Sequence, residues 1–203
     1  MRLKLEYGKS GLTIDVPADN LYAVVSMNSV PALANPDEAL EKSVASPIGS
    51  APLWTIAAGK KTACIVISDI TRPVPNKLIL PPILKTLQEN GISDEQITIL
   101  VATGIHRPTT PAELTEMVGE DVVRNYRIVN HDSKGLGMQT FLGRTSRGTP
   151  IYVNKIYMDA DLKILTGLIE PHFAAGYSGG RKSICPGICS LETVKVHHGP
   201  AFI

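Results

Sequence analysis

Residues 62–68 read TACIVIS, a short and almost wholly apolar run that is rich in β-branched side chains. Such a run is typical of a strand that is buried on both faces of a parallel sheet. Two further runs repeat it, QITILVAT at 96–103 and LKILTGLI at 162–169. Helical segments are predicted between the first two at 76–90, where a glycine follows, and after the second from Thr110 onward. This alternation predicts a mostly parallel sheet with helices on both faces.

The segments around this pattern complete the predicted fold. Near the N-terminus, apolar and charged residues alternate on both sides of GKSG, which indicates a β-hairpin. Asn35 and Pro36 suit the N-cap and the first position of a helix. The other predicted elements are a strand at 126–131, a hairpin of strands near 138–142 and 150–153, and a helix near 191–197. We therefore expect a Rossmann-like α/β fold with an N-terminal β-hairpin, in a single α/β domain over residues 1–203.

The composition narrows the classes of function. The chain has 203 residues, a formal net charge of +1 and 5% aromatic residues. Near-neutral charge argues against nucleic acid or an anionic membrane as the partner, and few aromatic residues argue against base stacking. The N-terminus has no signal-peptide core, and no apolar run approaches the ~20 residues of a membrane span. Three cysteines without a secretion signal predict no disulfide framework, so we expect a cytoplasmic protein.

Polar motifs directly follow the three apolar runs: SDITRP at 68–73, TGIHRP at 103–108 and EPH at 170–172. Because ligands bind at the carboxyl ends of the strands in open parallel sheets, these motifs are expected to meet at one edge. The residues delivered there are Asp69, Thr71, Arg72, His106, Arg107 and His172. Each also has a structural alternative: the aspartate as a turn cap, the arginines as its surface partners, and the histidines as hydrogen-bonded loop residues.

Residues 176–183, GYSGGRKS, approach the nucleotide-binding motif G-x-x-x-x-G-K-[ST], but Arg181 stands where the last glycine belongs. A phosphate- or nucleotide-binding module of the P-loop type is therefore an alternative that this arginine disfavours. The residues that can instead present backbone N–H groups to an anion are Ser178, Gly179 and Gly180. Lys182 is a candidate for a nucleophilic amine that anchors a cofactor covalently, and a flexible basic turn is its structural alternative.

Two cysteines and two histidines near the C-terminus raise the question of a metal site. Cys185 and Cys189 have the spacing C-x₃-C, and the adjacent His197 and His198 follow. This spacing matches no established zinc pattern, and cysteines are often small buried apolar residues. One histidine of the pair as a ligand for a soft metal is the more plausible interpretation.

Together and in this order, SDITRP, TGIHRP, EPHFAAGYSGGRKSICPG and HHGPAF resemble the nickel-pincer-nucleotide lactate racemase family, and more strictly its N-terminal domain. The resemblance implies nickel and a pyridinium-derived mononucleotide whose sulfur groups hold the metal. By position in the matching motifs, Lys182 is implied to carry this nucleotide through a thioamide, and His198 to bind nickel. The further residues assigned to the cofactor are Thr71, Ser178, Gly179 and Gly180, the two glycines lying near its phosphate.

The same resemblance implies the activity of a racemase or epimerase of 2-hydroxy acids, which works by hydride transfer. His106 and His172 are implied to be paired acid/base residues, and Arg72 and Asp69 to orient substrate and cofactor. Two bases suit this chemistry independently, because each enantiomer presents its hydroxyl group to a different side. A non-catalytic relative that binds a nucleotide or metal remains an alternative.

The resemblance also implies partners. They are a small 2-hydroxy acid, enzymes that mature the cofactor, and a C-terminal domain that closes the cleft. The apolar ending HHGPAFI suggests that the chain is the N-terminal, cofactor-anchoring half of a larger two-domain enzyme. The isolated domain is therefore expected to be inactive or very weak.

Overall fold

The computed structural model describes residues 1–8, 10–25, 28–172 and 175–200. The chain divides into two compact units, residues 1–34 and 35–203. In the first unit, β1 (Arg2–Leu5) pairs antiparallel with β2 (Leu12–Asp15), and a 3-10 turn follows at Ala18–Asn20. This confirms the predicted N-terminal hairpin.

The second unit is built on a four-stranded parallel sheet. Its strands are β3 (Ala63–Ser68), β4 (Ile97–Ala102), β5 (Arg127–Asn130) and β8 (Leu162–Leu165), in the spatial order β5-β4-β3-β8. The two strands at the centre, β3 and β4, are those that the apolar runs predict, and their side chains are almost all buried. The α/β class and the parallel sheet are confirmed.

Helices and a second hairpin complete this unit. The helices are α1 (Pro36–Ala45), α2 (Leu53–Ala57), α3 (Asn76–Glu89), α4 (Pro111–Val118), α5 (Glu120–Asn125), α6 (Lys155–Asp159) and α7 (Leu191–His197). The hairpin strands are β6 (Gln139–Arg144) and β7 (Pro150–Asn154), which pair antiparallel as predicted. Short 3-10 turns lie at Asp94–Gln96, Leu136–Met138 and Gly180–Ser183. None of the described helices combines the length and the apolar content that crossing a membrane requires.

Local sequence signals explain where the helices begin. The Asn35 side chain accepts a hydrogen bond from the Glu38 N–H at 3.4 Å and so caps α1. Thr110 and Glu113 form a reciprocal capping box at α4. The predicted helix after Thr110 is two helices, because Gly119 turns the chain at a φ of 90° between α4 and α5.

Alternate residues of the central strands point into two apolar layers. Ile65, Ile67 and Ile99 pack in the layer that contains the α3 residues Leu80 and Leu87. On the opposite face, Cys64, Val66 and Leu100 pack with residues of β7, α6 and α7. The helices of the two layers thus cover both faces of the sheet and leave the carboxyl ends of its strands as the edge where loops gather.

The prediction of a buried strand over 162–169 is wrong in extent and in burial. β8 ends at Leu165, and as an edge strand it exposes Lys163 and Leu165. The following residues continue the apolar run but form a loop. This loop packs on residues 176–183, called the glycine-rich segment below, where a Cβ on Gly167 would lie 3.5 Å from the Cα of Gly179. An apolar run therefore signals burial here without specifying a strand.

Candidate functional site

Asp69 and His106 form a close pair at the carboxyl edge of the two central strands. Asp69 directly follows β3 and is 5% exposed, and the ring Nδ1 of His106 lies 2.6 Å from its Oδ2. Since an ionised carboxylate can only accept, Nδ1 carries a proton, and in the neutral ring Nε2 is the acceptor. The side chain of His106 is 52% exposed, so the ring is open to a ligand.

The motif after β3 is folded tightly around the same carboxylate. The Thr71 hydroxyl donates to Asp69 Oδ1 at 2.5 Å, and the Thr71 N–H donates to the same atom at 3.2 Å. The aspartate therefore does cap its turn, as the structural alternative holds, and also binds His106. The Arg72 guanidinium donates to the Thr71 carbonyl oxygen at 3.3 Å, which places it beside this pair.

Arg72 faces the glycine-rich segment. Its Nε lies 3.7 Å from Glu170 Oε1, and both side chains are partly exposed. The pKa of Lys182 is lowered by burial and by the positive charge of Arg72, and Glu170 opposes this shift. Arg72, Glu170 and Lys182 are thus within electrostatic reach of one another. Glu170 is the residue that sequence reasoning missed, although it begins the EPH motif.

The glycine-rich segment is anchored on the loop that follows β8. The Ser178 hydroxyl donates to the Leu168 carbonyl oxygen at 2.7 Å and accepts from the Glu170 N–H at 3.0 Å. Gly179 has a φ of 72°, and a Cβ there would lie 2.8 Å from the same Leu168 oxygen, so only glycine fits. The Ser183 hydroxyl donates to the Thr166 carbonyl oxygen at 3.2 Å. These contacts fix the turn that carries Lys182.

The same turn also reaches β4. The Gly104 N–H, just after that strand, donates to the Gly187 carbonyl oxygen at 2.9 Å. Lys182 and His106, which are distant in sequence, are therefore held on segments that bond directly to each other.

Gly187→Ala is expected to lower the free energy of unfolding by about 1–3 kcal/mol. A Cβ at Gly187 would lie 2.3 Å from the Ser183 carbonyl oxygen, so the turn must shift to accept it. Gly137→Ala is the matched control, since it has open space and no unusual φ, and its effect should stay within about 0.5 kcal/mol. Urea unfolding of both variants provides the measurement, and equal effects would contradict the close packing of this turn.

The segment 176–183 does not have the arrangement of a nucleotide-binding P-loop. Gly176–Tyr177 form β10, which pairs antiparallel with β9 (Pro171–His172). A four-residue 3-10 turn then follows at Gly180–Ser183, where a P-loop continues into a long α-helix. Arg181 at the position of the last glycine already disfavours a P-loop. The described residues 176–183 also lack the strand–loop–helix arrangement that a nucleotide-binding P-loop requires.

His172 is placed differently from the prediction. The EPH motif was expected to follow a sheet strand directly, but four residues separate Glu170 from the end of β8. His172 lies in the small β9–β10 hairpin, where its Nδ1 accepts from the Ala175 N–H at 3.2 Å. Residues 173–174 of the quoted motif lie outside the described residues.

His198 lies at the C-terminal end of α7 and is exposed. Its Nδ1 is 3.4 Å from the Nδ1 of His197, and the two rings meet edge to face with centroids 5.0 Å apart. No group of three or more His, Cys, Asp or Glu side chains suited to a metal ion occurs in the described part of the chain. Any metal held by His198 there would need ligands from outside these side chains. Residues 201–203 of the HHGPAF motif lie outside the described residues.

Arg107 belongs to the support of the His106 loop. Its guanidinium forms two hydrogen bonds to the Glu113 carboxylate, at 2.6 and 2.9 Å, and thereby ties the loop to the first turn of α4. The side-chain hydrogen bond from Arg107, followed by the backbone N–H of Thr110, lowers the pKa of Glu113 to about 2. The partner of Arg107 is thus Glu113, while Asp69 is engaged by His106 and Thr71.

His131, just after β5, supports the turn at 184–189 that follows the glycine-rich segment. It is 3% exposed; its Nε2 donates to the Cys189 carbonyl oxygen at 2.9 Å, and its Nδ1 accepts from Asn154 Nδ2 at 3.0 Å. Burial lowers its pKa below the ordinary value of 6.5. A neutral ring with both nitrogens bonded is a structural histidine.

His131 is expected to make the protein less stable in mild acid. The pKa of His131 is lower in the folded than in the unfolded state. Its contribution to the free energy of unfolding is therefore complete above pH 6.5, and it is lost as the pH falls towards the pKa of the folded state. The loss is at most about 1.4 kcal/mol per pH unit. Urea unfolding between pH 7.5 and 5 measures it, and His131→Gln should have a shallower pH dependence. Parallel curves for the two proteins would contradict this role.

The chain is similar to known proteins over nearly all of its length. The profile of the lactate racemase N-terminal domain matches residues 7–203. The lactate racemase of Thermoanaerobacterium thermosaccharolyticum is 37% identical over 203 residues, and that of Lactiplantibacillus plantarum is 41% identical over 204 residues. Each alignment covers 99% of this chain but only 47% and 48% of the respective relative. The chain thus spans about half the length of the curated relatives it matches.

Two solved structures are similar to the chain. The lactate racemase apoprotein from T. thermosaccharolyticum matches with a TM-score of 0.82 and 36% identity, covering 98% of this chain and 46% of that chain. A Thermotoga maritima protein determined by structural genomics matches with a TM-score of 0.65 and 26% identity, covering 80% of this chain and 40% of that one.

Proposed function

Because the chain belongs to the lactate racemase N-terminal domain family, we propose that it is the cofactor-anchoring half of a nickel-dependent racemase or epimerase of a 2-hydroxy acid such as lactate. The observation that carries this proposal is the Asp69–His106 pair, with its 2.6 Å contact at the edge of the central strands. Arg72, on the loop after β3, and Lys182, a lysine of lowered pKa on the glycine-rich turn, lie near the same edge. A histidine base and cationic side chains are the groups that proton transfer and carboxylate binding require.

His106 is suited to act as a base. Asp69 fixes the tautomer by accepting from Nδ1, so Nε2 is available to take the hydroxyl proton of one enantiomer. The buried carboxylate also stabilises the ring once it is protonated. His172 is proposed as the second base, which serves the opposite enantiomer.

Arg72 is proposed to bind the substrate carboxylate. Its side chain is 37% exposed and its ion pair with Glu170 is long, at 3.7 Å, so the guanidinium can bind a second carboxylate. A guanidinium binds a carboxylate through two parallel hydrogen bonds and thereby orients it. This fixes the substrate relative to His106.

The residues around Lys182 fit a covalently held nucleotide. A lysine whose pKa is lowered has more of the neutral, nucleophilic amine near neutral pH. Among the described residues, the N–H groups of Gly179, Gly180 and Arg181 have no acceptor, and a Cβ at Gly180 would meet open space. These groups suit a phosphate. When bound, the nickel-pincer nucleotide supplies the hydride acceptor for the substrate carbon.

His198 is proposed as the protein ligand of nickel. Its ring is exposed at the end of α7, and an imidazole nitrogen is a suitable ligand for this metal. A single protein histidine would be sufficient, because the sulfur groups of the nucleotide would supply the other ligands. The proposal is thus compatible with the absence of a three-residue metal cluster in the described part of the chain.

Peptide mass spectrometry across Lys182 tests the proposal. The full-length protein would be produced together with the cofactor-maturation enzymes and nickel. A sulfur-containing nucleotide on Lys182 is the expected result. An unmodified Lys182, under conditions in which a known lactate racemase carries the adduct, would overturn the covalent mechanism and favour a reversible anion site in a non-catalytic relative.

A further inference from the structure

A cavity lies on the face of the sheet that carries α7, and its lining includes neither Asp69 nor His106. Its volume is about 350 Å³, and it is lined by residues of the β6–β7 hairpin, the turn at 184–189 and α7. Ile151, Val153 and Ile184 provide apolar walls, and Arg147 and His197 also line it. Two of the three cysteines, Cys185 and Cys189, face this space. The proposed racemase mechanism uses neither thiol.

The two cysteines lie four residues apart on one turn, and both line the cavity. The turn between them is closed by hydrogen bonds from the Ile188 N–H to the Ile184 carbonyl oxygen at 2.9 Å and from the Cys189 N–H to the Pro186 carbonyl oxygen at 3.3 Å. The Cys189 thiol interacts with the Cys185 sulfur and lowers the pKa of Cys185, while the same interaction and burial raise that of Cys189. Cys185 is thus the better nucleophile of the pair.

The difference in exposure assigns an order to the pair. Cys185 is half-buried at the cavity wall, whereas Cys189 is 2% exposed. A reagent that enters the cavity therefore reaches Cys185 first, and Cys189 stands behind it. Cys64 is a contrast within the same chain: it is 0% exposed in β3, and burial raises its pKa to about 12.

We propose that Cys185 and Cys189 form a thiol modification site that is oxidised reversibly to an intramolecular disulfide by a small-molecule disulfide such as oxidised glutathione. The Cys185 thiolate attacks one glutathione sulfur, the S–S bond of the reagent breaks, and the leaving glutathione thiolate takes up a proton. The Cys189 thiolate then attacks the Cys185 sulfur and releases the second glutathione. The protein loses two protons and two electrons, and oxidised glutathione is reduced to two thiols.

Charge at the cavity suits this reagent. Glutathione carries carboxylates, and the positively charged Arg147 lines the same cavity as Cys185. The site is also linked to the proposed cofactor loop, because the Cys185 N–H donates to the Arg181 carbonyl oxygen at 3.0 Å and the Gly187 N–H donates to that of Lys182 at 3.0 Å. The thiol pair thus lies on the turn that holds Lys182, although its chemistry does not depend on a bound cofactor.

Incubation of the folded chain with oxidised glutathione, followed by rapid alkylation and peptide mapping, tests the proposal. The expected product is a Cys185–Cys189 disulfide that dithiothreitol reverses. Cys64 should be alkylated at least about 10²-fold more slowly than Cys185, because a buried thiol reacts only when the core opens. Two reduced thiols, or a glutathione adduct that persists on wild-type Cys185, would overturn the proposal.

Two variants test the assigned order. Cys189→Ser should stop at a stable mixed disulfide between Cys185 and glutathione, and Cys185→Ser should acquire no adduct at Cys189. An adduct at Cys189 in the second variant would overturn the order. Slow alkylation of Cys64 shows that each variant is folded. If Cys64 becomes reactive in Cys189→Ser, that variant is unfolded, and the proposal is then tested by the wild-type peptide map and by Cys185→Ser.

Discussion

Lys182→Ala in the full-length protein is expected to lower the rate of racemisation by about 10³-fold or more. The proposed role of this amine is to hold the cofactor covalently, and loss of the bond turns an intramolecular reaction into one that depends on free cofactor. Steady-state rates from each lactate enantiomer provide the measurement, together with nickel content after gel filtration. Both rate and bound nickel should fall.

Two controls separate tethering from charge. Lys182→Arg keeps the positive charge beside Arg72 and Glu170 but cannot form the amide-type bond, so it should be as inactive as the alanine variant. Lys85→Ala removes an exposed lysine on α3 that pairs with Glu89 at 4.0 Å, and its rate should be unchanged. An active Lys182→Arg protein would contradict a covalent link and leave only an electrostatic role.

The lowered pKa of Lys182 has a consequence that needs no cofactor. Because its amine loses its proton at lower pH than that of an exposed lysine, its acylation by a small activated ester should begin at lower pH than that of Lys85. Peptide mapping of the acylated chain across a pH series distinguishes the two lysines.

The fold was largely predictable because short local sequence patterns indicate buried strands and helix caps. Strands β3 and β4 are buried on both faces, so nearly every residue in them is apolar. The side chains of Asn35 and Thr110 each accept a hydrogen bond from the N–H three residues later in the chain, and so mark the start of a helix. β8 shows the limit of this reasoning, since Leu162 is buried while Lys163 and Leu165 are exposed at the sheet edge. Position in a sheet is a property of the whole topology.

The candidate site was predictable only in part, for a related reason. Strand ends in a parallel sheet converge, so Asp69 and His106 could be expected at one edge from sequence alone. The partner of each charge could not, because Arg72 reaches Glu170 across about a hundred residues of chain and His131 reaches the Cys189 carbonyl oxygen. Glu170 differs little from a surface glutamate in the sequence. Only the loop packing through Ser178 places it beside Arg72.

His106→Ala is expected to reduce turnover in both directions by about 10²-fold or more. Racemisation needs one histidine to take the hydroxyl proton and the other, in its protonated form, to give a proton back. Loss of either histidine therefore blocks the overall reaction from both enantiomers. Asp69→Asn should have a related effect with the ring still present. An amide can donate as well as accept, so it no longer fixes the proton on Nδ1.

A single-turnover experiment separates this two-base mechanism from a general loss of structure. Each enantiomer is mixed with excess enzyme, and the 2-keto acid formed is trapped. In His106→Ala, the enantiomer served by His172 should still yield keto acid at nearly the wild-type rate, while the other enantiomer is slowed by about 10²-fold. His172→Ala should show the reverse preference, and Asp69→Asn should slow the same enantiomer as His106→Ala. If all three variants slow both enantiomers equally, the histidines do not divide the two faces of the substrate, and the buried aspartate serves only to build the turn.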